Sequence, residues 1–238
     1  MITHVDETDS TMTYAEEHFQ NCSTLQCVYA DRQTGGYGRH NRTWFSPEGN
    51  IYMTLSFPLA SKIDPAYTLN MVIPVTIIRV LKTMNIDATL KWPNDIIVNN
   101  CKVCGILSKI IFNTVHIGIG LNVNCMDFSH IERILFPCAS LKQITGKDYD
   151  IAGIVTKLYQ NFQLDLKIWN NGGIDPFLQE YEQYLIKSML TIRVGNSTVT
   201  GCIVSVFKEG VLLDDGTKLY SGDVVTIHDT PIFVKRYF

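Results

Sequence analysis

Thr89-Leu-Lys-Trp-Pro-Asn-Asp-Ile-Ile-Val-Asn-Asn-Cys-Lys-Val-Cys-Gly-Ile-Leu-Ser108 is the stretch whose reading decides the fold. Thr89–Trp92 and Asp95–Val98 read as extended, and Pro93 biases Trp92 away from helix. Asn99-Asn100 tolerates the left-handed backbone of a tight hairpin turn, so Val103–Phe112 is expected to return antiparallel. Val115–Val123 reads as one more strand. Several antiparallel connections, and no repeated βαβ unit, point to an α+β chain with a mixed sheet.

Working outward, Thr13-Tyr-Ala-Glu16 has the spacing of a capping box, and Met12, Ala15 and Phe19 fall at helical intervals, predicting a helix over 12–20. Leu25–Ala30 and Ile51–Phe57 read as strands around a polar loop, Asp31 to Arg42, that holds Gly35, Gly36 and Gly38. Residues 66–84 are apolar and long enough for a helix, with Pro74 as its kink or its start. Downstream, Asp150 is placed to cap a helix whose apolar face is Ile151, Ile154, Val155, Leu158, Phe162 and Trp169. Asp175-Pro176 opens another that buries Phe177, Tyr181 and Leu185. Short strand-like pieces then follow: Leu190–Val194, Val199–Phe207, Val211–Leu213, Lys218–Tyr220, Val224–Ile227 and Ile232–Val234. Turn residues separate them, as expected for a barrel of about fifty residues. The expected division is residues 1–187 and 188–238.

Of 238 residues, 46% are hydrophobic and 18% charged, which excludes a disordered or collagen-like chain. The net charge of −3 excludes a basic footprint for duplex nucleic acid over the whole chain. No apolar run approaches the roughly 20 residues of a membrane helix, and Ile2-Thr3-His4-Val5-Asp6-Glu7 is not a secretory start. A cytoplasmic chain is the expectation, with its seven scattered cysteines reduced.

Four groups of residues look chemical. Gln33 to Trp44 packs Gly36, Tyr37 and Gly38 beside Arg39, His40, Arg42 and Trp44. Glycines let backbone N–H groups approach an anion, the cations offset its charge, and an indole offers a face for a planar ring. A mobile loop with solvated charges is the plainer reading. Lys91-Trp-Pro-Asn94-Asp95 sets a lysine, an amide and an acid together, and the hairpin brings Lys102 beside them. Asp95 could orient Lys91 or help hold magnesium, and Lys102 needs a negative partner, either a ligand carboxylate or an internal aspartate. Gly118, Gly120 and Asn122 share one strand face, where missing side chains admit a ligand or tight packing. Asp9-Ser10-Thr11 stands at a helix start, as a cap or as a ligand contact. Cys101-x-x-Cys104 lacks a second pair, and His4, His18, His116, His130 and His228 have no metal-ligand spacing.

The strings G-Y-G-R-H-N-R-T-W (36–44), K-W-P-N-D (91–95), K-V-C-G-I-L (102–107) and G-I-G-L-N-V-N (118–124), in this order, resemble the biotin–protein ligases. The resemblance is strong over about 5–125 and looser beyond. It implies a class II synthetase-like catalytic domain with a small C-terminal SH3-like barrel. It implies activation of biotin with MgATP to biotinyl-5′-AMP, then transfer to a lysine of a biotin carboxyl carrier domain. On this resemblance Ser10, Thr11, Gln33, Gly36, Tyr37, Gly38, Arg39, Lys102, Gly118 and Gly120 would hold biotin. Arg39, His40, Arg42, Trp44, Lys91, Asn94, Asp95, Lys102 and Asn122 would hold ATP or the adenylate. Lys102 and Arg39 would be catalytic, and Asp95 is the candidate for magnesium.

The chain departs from the family pattern at Tyr37, where arginine is usual, at Asn41, where glycine is usual, and at Cys101, where a basic residue is usual. The expectation is a loss of up to two positive charges from the site and a weaker hold on the adenylate or slower loop closure. Because the resemblance starts almost at Met1, a form without a DNA-binding winged helix is expected, monomeric or homodimeric. Two rivals are a lipoate or octanoate ligase or transferase, and a non-catalytic binding module.

Overall fold

The hairpin forms as expected. Asn99 and Asn100 take φ of 47° and 61°, and Val98 pairs with Cys101 across the turn. The computed structural model describes residues 1–59, 63–128 and 136–228. Seven strands make the main sheet: β1 Ile2–Thr8, β2 Gln26–Gln33, β3 Ile51–Pro58, β4 Thr89–Lys91, β5 Asp95–Val98, β6 Cys101–Ile111 and β7 Thr114–Leu121. Their order is β1-β2-β3-β7-β6-β5-β4. Only the β1–β2 pair is parallel. The sheet is therefore mixed, and sequence neighbours are mostly its spatial neighbours.

Alternation along β3 explains its two faces. Ile51, Met53, Leu55 and Phe57 enter the main core, whereas Tyr52, Thr54 and Ser56 are buried on the opposite side. The apolar face is covered by α2 (Leu69–Thr83) and α4 (Ile151–Gly172), with α5 (Asp175–Tyr184) packed against both. The other face carries α1 (Thr11–His18), whose Met12 lies against Gly118 of β7. This polar face, only partly covered by a short helix, is where a ligand can enter. Arg79 of α2 donates to Glu180 and Asp165, tying α2, α4 and α5 together.

Several expectations need correction. The helix start near residue 12 is capped by Ser10, whose hydroxyl accepts from Met12 N at 3.2 Å, so Thr13–Glu16 is not the capping box. That box occurs instead at Ser140/Gln143, opening the unpredicted α3 (Leu141–Thr145). Strand β1 was not foreseen, because its residues are mostly polar and half-exposed, and backbone pairing at the sheet edge recruits it. Pro74 neither starts α2 nor stops it. Eleven of the fifteen helical residues are buried, and that packing outweighs the missing N–H.

After α5 come β8 Leu190–Val194, β9 Ser197–Gly201, β10 Ile203–Phe207, β11 Gly210–Leu213, β12 Lys218–Leu219 and β13 Asp223–Ile227. They form two three-stranded antiparallel sheets, β13-β8-β9 and β10-β11-β12, consistent with an SH3-like arrangement. The expected single strand 199–207 breaks at Cys202, whose N–H donates to Asp214, and the chain changes sheets there. The expected strand 232–234 lies outside the described residues. No helix among the described residues is long and apolar enough to cross a membrane.

His116 of β7 is fully buried, with Nδ1 2.8 Å from Ser56 Oγ and no partner at Nε2 among the described residues. Burial pulls its imidazole below the ordinary 6.5; Glu16 partly opposes this and Lys109 adds to it. The unfolded chain thus takes up a proton near 6.5 that the folded chain refuses until lower pH. This contribution to stability is complete above about pH 6.5 and is lost as pH falls below it. Melting temperature followed from about pH 7.5 to about 5.5 should fall more steeply for the native chain than for His116→Asn, which has no titrating ring.

Candidate functional site

A cavity of about 830 Å³ opens on the polar face of the main sheet. Its lining carries Arg39, Arg42, Lys91, Lys102 and Arg193 against Asp95 and Asp223, a local balance of +3 in a chain whose net charge is −3. Such an enclosed positive region attracts anions.

Asp95 begins β5 and faces Lys91 at the end of β4. Its two carboxylate oxygens are both taken: Oδ1 lies 2.6 Å from Lys102 Nζ, and Oδ2 lies 2.9 Å from Lys91 Nζ. Burial works against its charge, but Lys102 and Lys91 outweigh it and hold the carboxyl below its usual range. The internal aspartate, the plainer of the two partners expected for Lys102, is therefore present. Lys91 is buried and also donates to Val224 O at 3.3 Å. The magnesium reading of Asp95 does not fit, since both of its oxygens are engaged by ammonium groups. Among the described residues, the one cluster of metal-ligating atoms is His4, Asp6 and Asp31, on the surface and outside the cavity lining.

The glycine loop closes on itself. Tyr37 bridges Thr43, Gly38 N donates to Arg42 O at 2.7 Å, and Trp44 N donates to Gly36 O at 2.9 Å. Gly36 is buried beneath, where an added Cβ would fall 2.5 Å from Ser46 Oγ and 2.6 Å from Gln33 Nε2. His40 and Asn41 take φ of 55° and 54° at the tip, a conformation asparagine tolerates well enough to stand where glycine is usual. Arg39 reaches Asn94 Oδ1 at 3.3 Å and so joins the loop to the turn before β5. Gly36 and His40 do not line the cavity. Tyr37, Gly38, Arg39, Arg42 and Trp44 do.

Trp44 explains the glycines on β6 and β7. A Cβ on Gly120 would lie 2.5 Å from its Nε1, and one on Gly105 2.8 Å from its Cζ3. Much of the space expected for a ligand above Gly118 and Gly120 is thus filled by Met12 and Trp44, which themselves wall the cavity. Lys102 Nζ sits 5.2 Å from the indole centre. Asn122, just past the end of β7, lines the same cavity, with its Nδ2 3.3 Å from Ala139 O.

Ser10, Thr11 and Gln33 form a fixed polar wall. Gln33 Oε1 accepts from Thr11 N at 2.8 Å and from Thr11 Oγ1 at 3.2 Å, and Gln33 Nε2 donates to Ser46 at 2.9 Å. Thr54 Oγ1 donates to Thr11 Oγ1 from below. Cys101 does not line the cavity. It alternates with Lys102 along β6, so the basic residue usual at that position is not missing from the cavity wall.

Among the lining residues that escaped sequence reasoning are Arg193, Asp223, Val224 and Val225, all from the C-terminal sheets. Asp223 pairs with Arg39 at 3.1 Å, Arg42 at 2.9 Å and His40 at 3.4 Å. Burial opposes its charge, but these cations outweigh it and lower its pKa. Gly222 O also accepts from Arg39 at 3.3 Å. In the sequence, Ser221-Gly222-Asp223 reads only as a turn, and nothing local links it to a loop some 180 residues earlier.

Fold and cavity define an α+β domain whose cavity carries a surplus of positive charge. The biotin/lipoate A/B protein ligase family matches residues 5–124, and the chain belongs to that family. It is 31% identical over 210 residues to the bifunctional ligase/repressor BirA of Bacillus spizizenii, covering 83% of this chain and 65% of that protein. The biotin–[acetyl-CoA-carboxylase] ligase of Paracoccus denitrificans is 31% identical over 152 residues, covering 60% of this chain and 63% of that one. The biotin protein ligase of Aquifex aeolicus, solved in complex with biotin and ATP, superposes with a TM-score of 0.82 at 30% identity, covering 93% of this chain and 96% of that one. The chain thus spans just under two thirds of the length of these two relatives and nearly all of the Aquifex chain.

Two substitutions test this construction. Asp95→Asn leaves Lys91 charged, buried and unpaired, and should lower unfolding free energy by about 3 kcal/mol in urea titrations. Gly120→Ala presses on the Trp44 indole and should cost roughly 1–3 kcal/mol. The Gly120→Ala penalty should largely vanish in a Trp44→Ala background, as a double-mutant cycle would read out.

Proposed function

We propose that the chain is an ATP-dependent ligase that joins biotin to AMP and passes the biotin to a lysine of a biotin carboxyl carrier domain. The observation that carries this reading is the local +3 balance of the cavity in an acidic chain. Biotin's carboxylate and the phosphates of ATP repel each other, and only fixed cations bring them into contact. A cavity of about 830 Å³ has room for both.

In the first step a carboxylate oxygen of biotin attacks the α-phosphorus, the bond to the pyrophosphate oxygen breaks, and pyrophosphate leaves. Lys102 and Arg39 offset the negative charge at the reacting oxygens, with Lys91 and Arg42 alongside. In the second step the amine of the carrier lysine attacks the acyl carbon, AMP leaves and the amine loses a proton. No enzyme nucleophile is needed. Trp44 offers a face for adenine, with Asn122 beside it. Ser10, Thr11 and Gln33 suit the polar ring of biotin better than the apolar chain of lipoate, and this wall favours biotin within the family. Magnesium would accompany ATP itself, as Asp95 is committed to its lysines. The same reading treats residues 188–238 as a separate small barrel domain and assigns the chain to the cytoplasm.

ATP–pyrophosphate exchange tests it. Exchange should depend on biotin and be absent with lipoate, and Lys102→Met should reduce it by about 100-fold or more. Exchange with lipoate alone would transfer the chain to the lipoate branch, and exchange with neither would leave a binding module.

A further inference from the structure

Tyr37 stands where the family pattern has arginine, and its hydroxyl is not idle. Lys109 Nζ donates to it at 2.8 Å and to Glu16 Oε1 at 2.8 Å. The same ammonium lies 4.8 Å from the Tyr37 ring centre. Tyr37 lines the cavity, whereas Lys109 and Glu16 do not. Lys109 belongs to β6, the longest strand of the sheet, and Glu16 to α1, so both are held by regular structure. Tyr37 also bridges Thr43. Whatever fixes Tyr37 therefore fixes both arms of the glycine loop. The far side of the loop is held separately, by Asp223 on Arg39 and Arg42.

We propose that Lys109 is a positioning residue that, through Tyr37 and with Glu16 behind it, holds the loop of residues 34–43 over the cavity. This deepens the adenylating reading given above and rests on it only for its kinetic consequence. A charge-assisted contact between two regular elements and the loop does part of what a loop arginine would do by grasping the ligand. The Tyr37 departure therefore does not simply weaken the site, since a sheet lysine supplies a loop anchor there. Burial works against the Lys109 charge, but its bonds to Glu16 and Tyr37 outweigh this and keep the ammonium protonated.

The test uses the whole chain and two variants. Tyr37→Phe removes only the hydroxyl, and Lys109→Met removes the ammonium. Trypsin cleavage after Arg39 and Arg42 reads the loop directly. It should speed up about fivefold in both variants while the melting temperature stays close to native. In Lys109→Met, a position that does not line the cavity, release of biotinyl-5′-AMP should accelerate about fivefold, with the KM for biotin rising and kcat changing less than about twofold. Native cleavage rates in both variants would overturn the proposal, as would a fall in kcat at unchanged KM. Should the native chain show no biotin-dependent exchange, the adenylating reading fails, while the cleavage rates still decide whether Lys109 anchors the loop.

Discussion

Asp95 between Lys91 and Lys102 is the contact on which the cavity depends. Two ammonium groups this close repel one another, and Lys91 is buried. A carboxylate with one oxygen for each offsets that repulsion. The short β4–β5 connection and the Asn99-Asn100 hairpin exist, in physical terms, to put these three side chains on neighbouring strands. The surplus of positive charge in the cavity follows from them together with the loop arginines.

The sheet is built to leave one face usable. On its apolar side α4 packs on β3 and α2 on β5 and β6, with α5 against both helices, and Ile51, Met53, Leu55 and Phe57 belong to this core. On the other side glycines at 105, 118 and 120 lower the floor, and Trp44 and Met12 descend into that space. An aromatic wall can then stand beside the half-buried Lys102. The indole N–H of Trp44 is buried there with no hydrogen-bond partner among the described residues.

The loop over this floor is held from two directions. Asp223 reaches its arginines from the C-terminal sheets, and Lys109 reaches Tyr37 from the main sheet. A glycine-rich segment has much conformational entropy to lose. Contacts to charged groups on rigid elements offset that loss better than contacts within the loop. The C-terminal sheets are therefore part of the cavity wall, and changes in them are expected to be felt at the loop.

Local chemistry was enough to read the hairpin, the glycine loop, the long helices near 70, 155 and 178, and the polarity of the residues that line the cavity. Each depends on neighbours a few positions apart: positive-φ asparagines at a turn, apolar residues at helical spacing, glycines beside arginines. Other features depended on contacts between distant segments. The edge strand β1 is polar and forms because β2 offers it a hydrogen-bonding partner. Which partner Lys102 takes, and that Cys101 misses the cavity, depend on strand register. Asp223 joins Arg39 and Arg42 only because the chain folds back on itself. The sequence by itself thus determined which chemistry this chain carries and on which kinds of element. Only the tertiary structure decided which charges neutralise one another, because Coulomb and hydrogen-bond energies depend on distances that no spacing along the chain reveals.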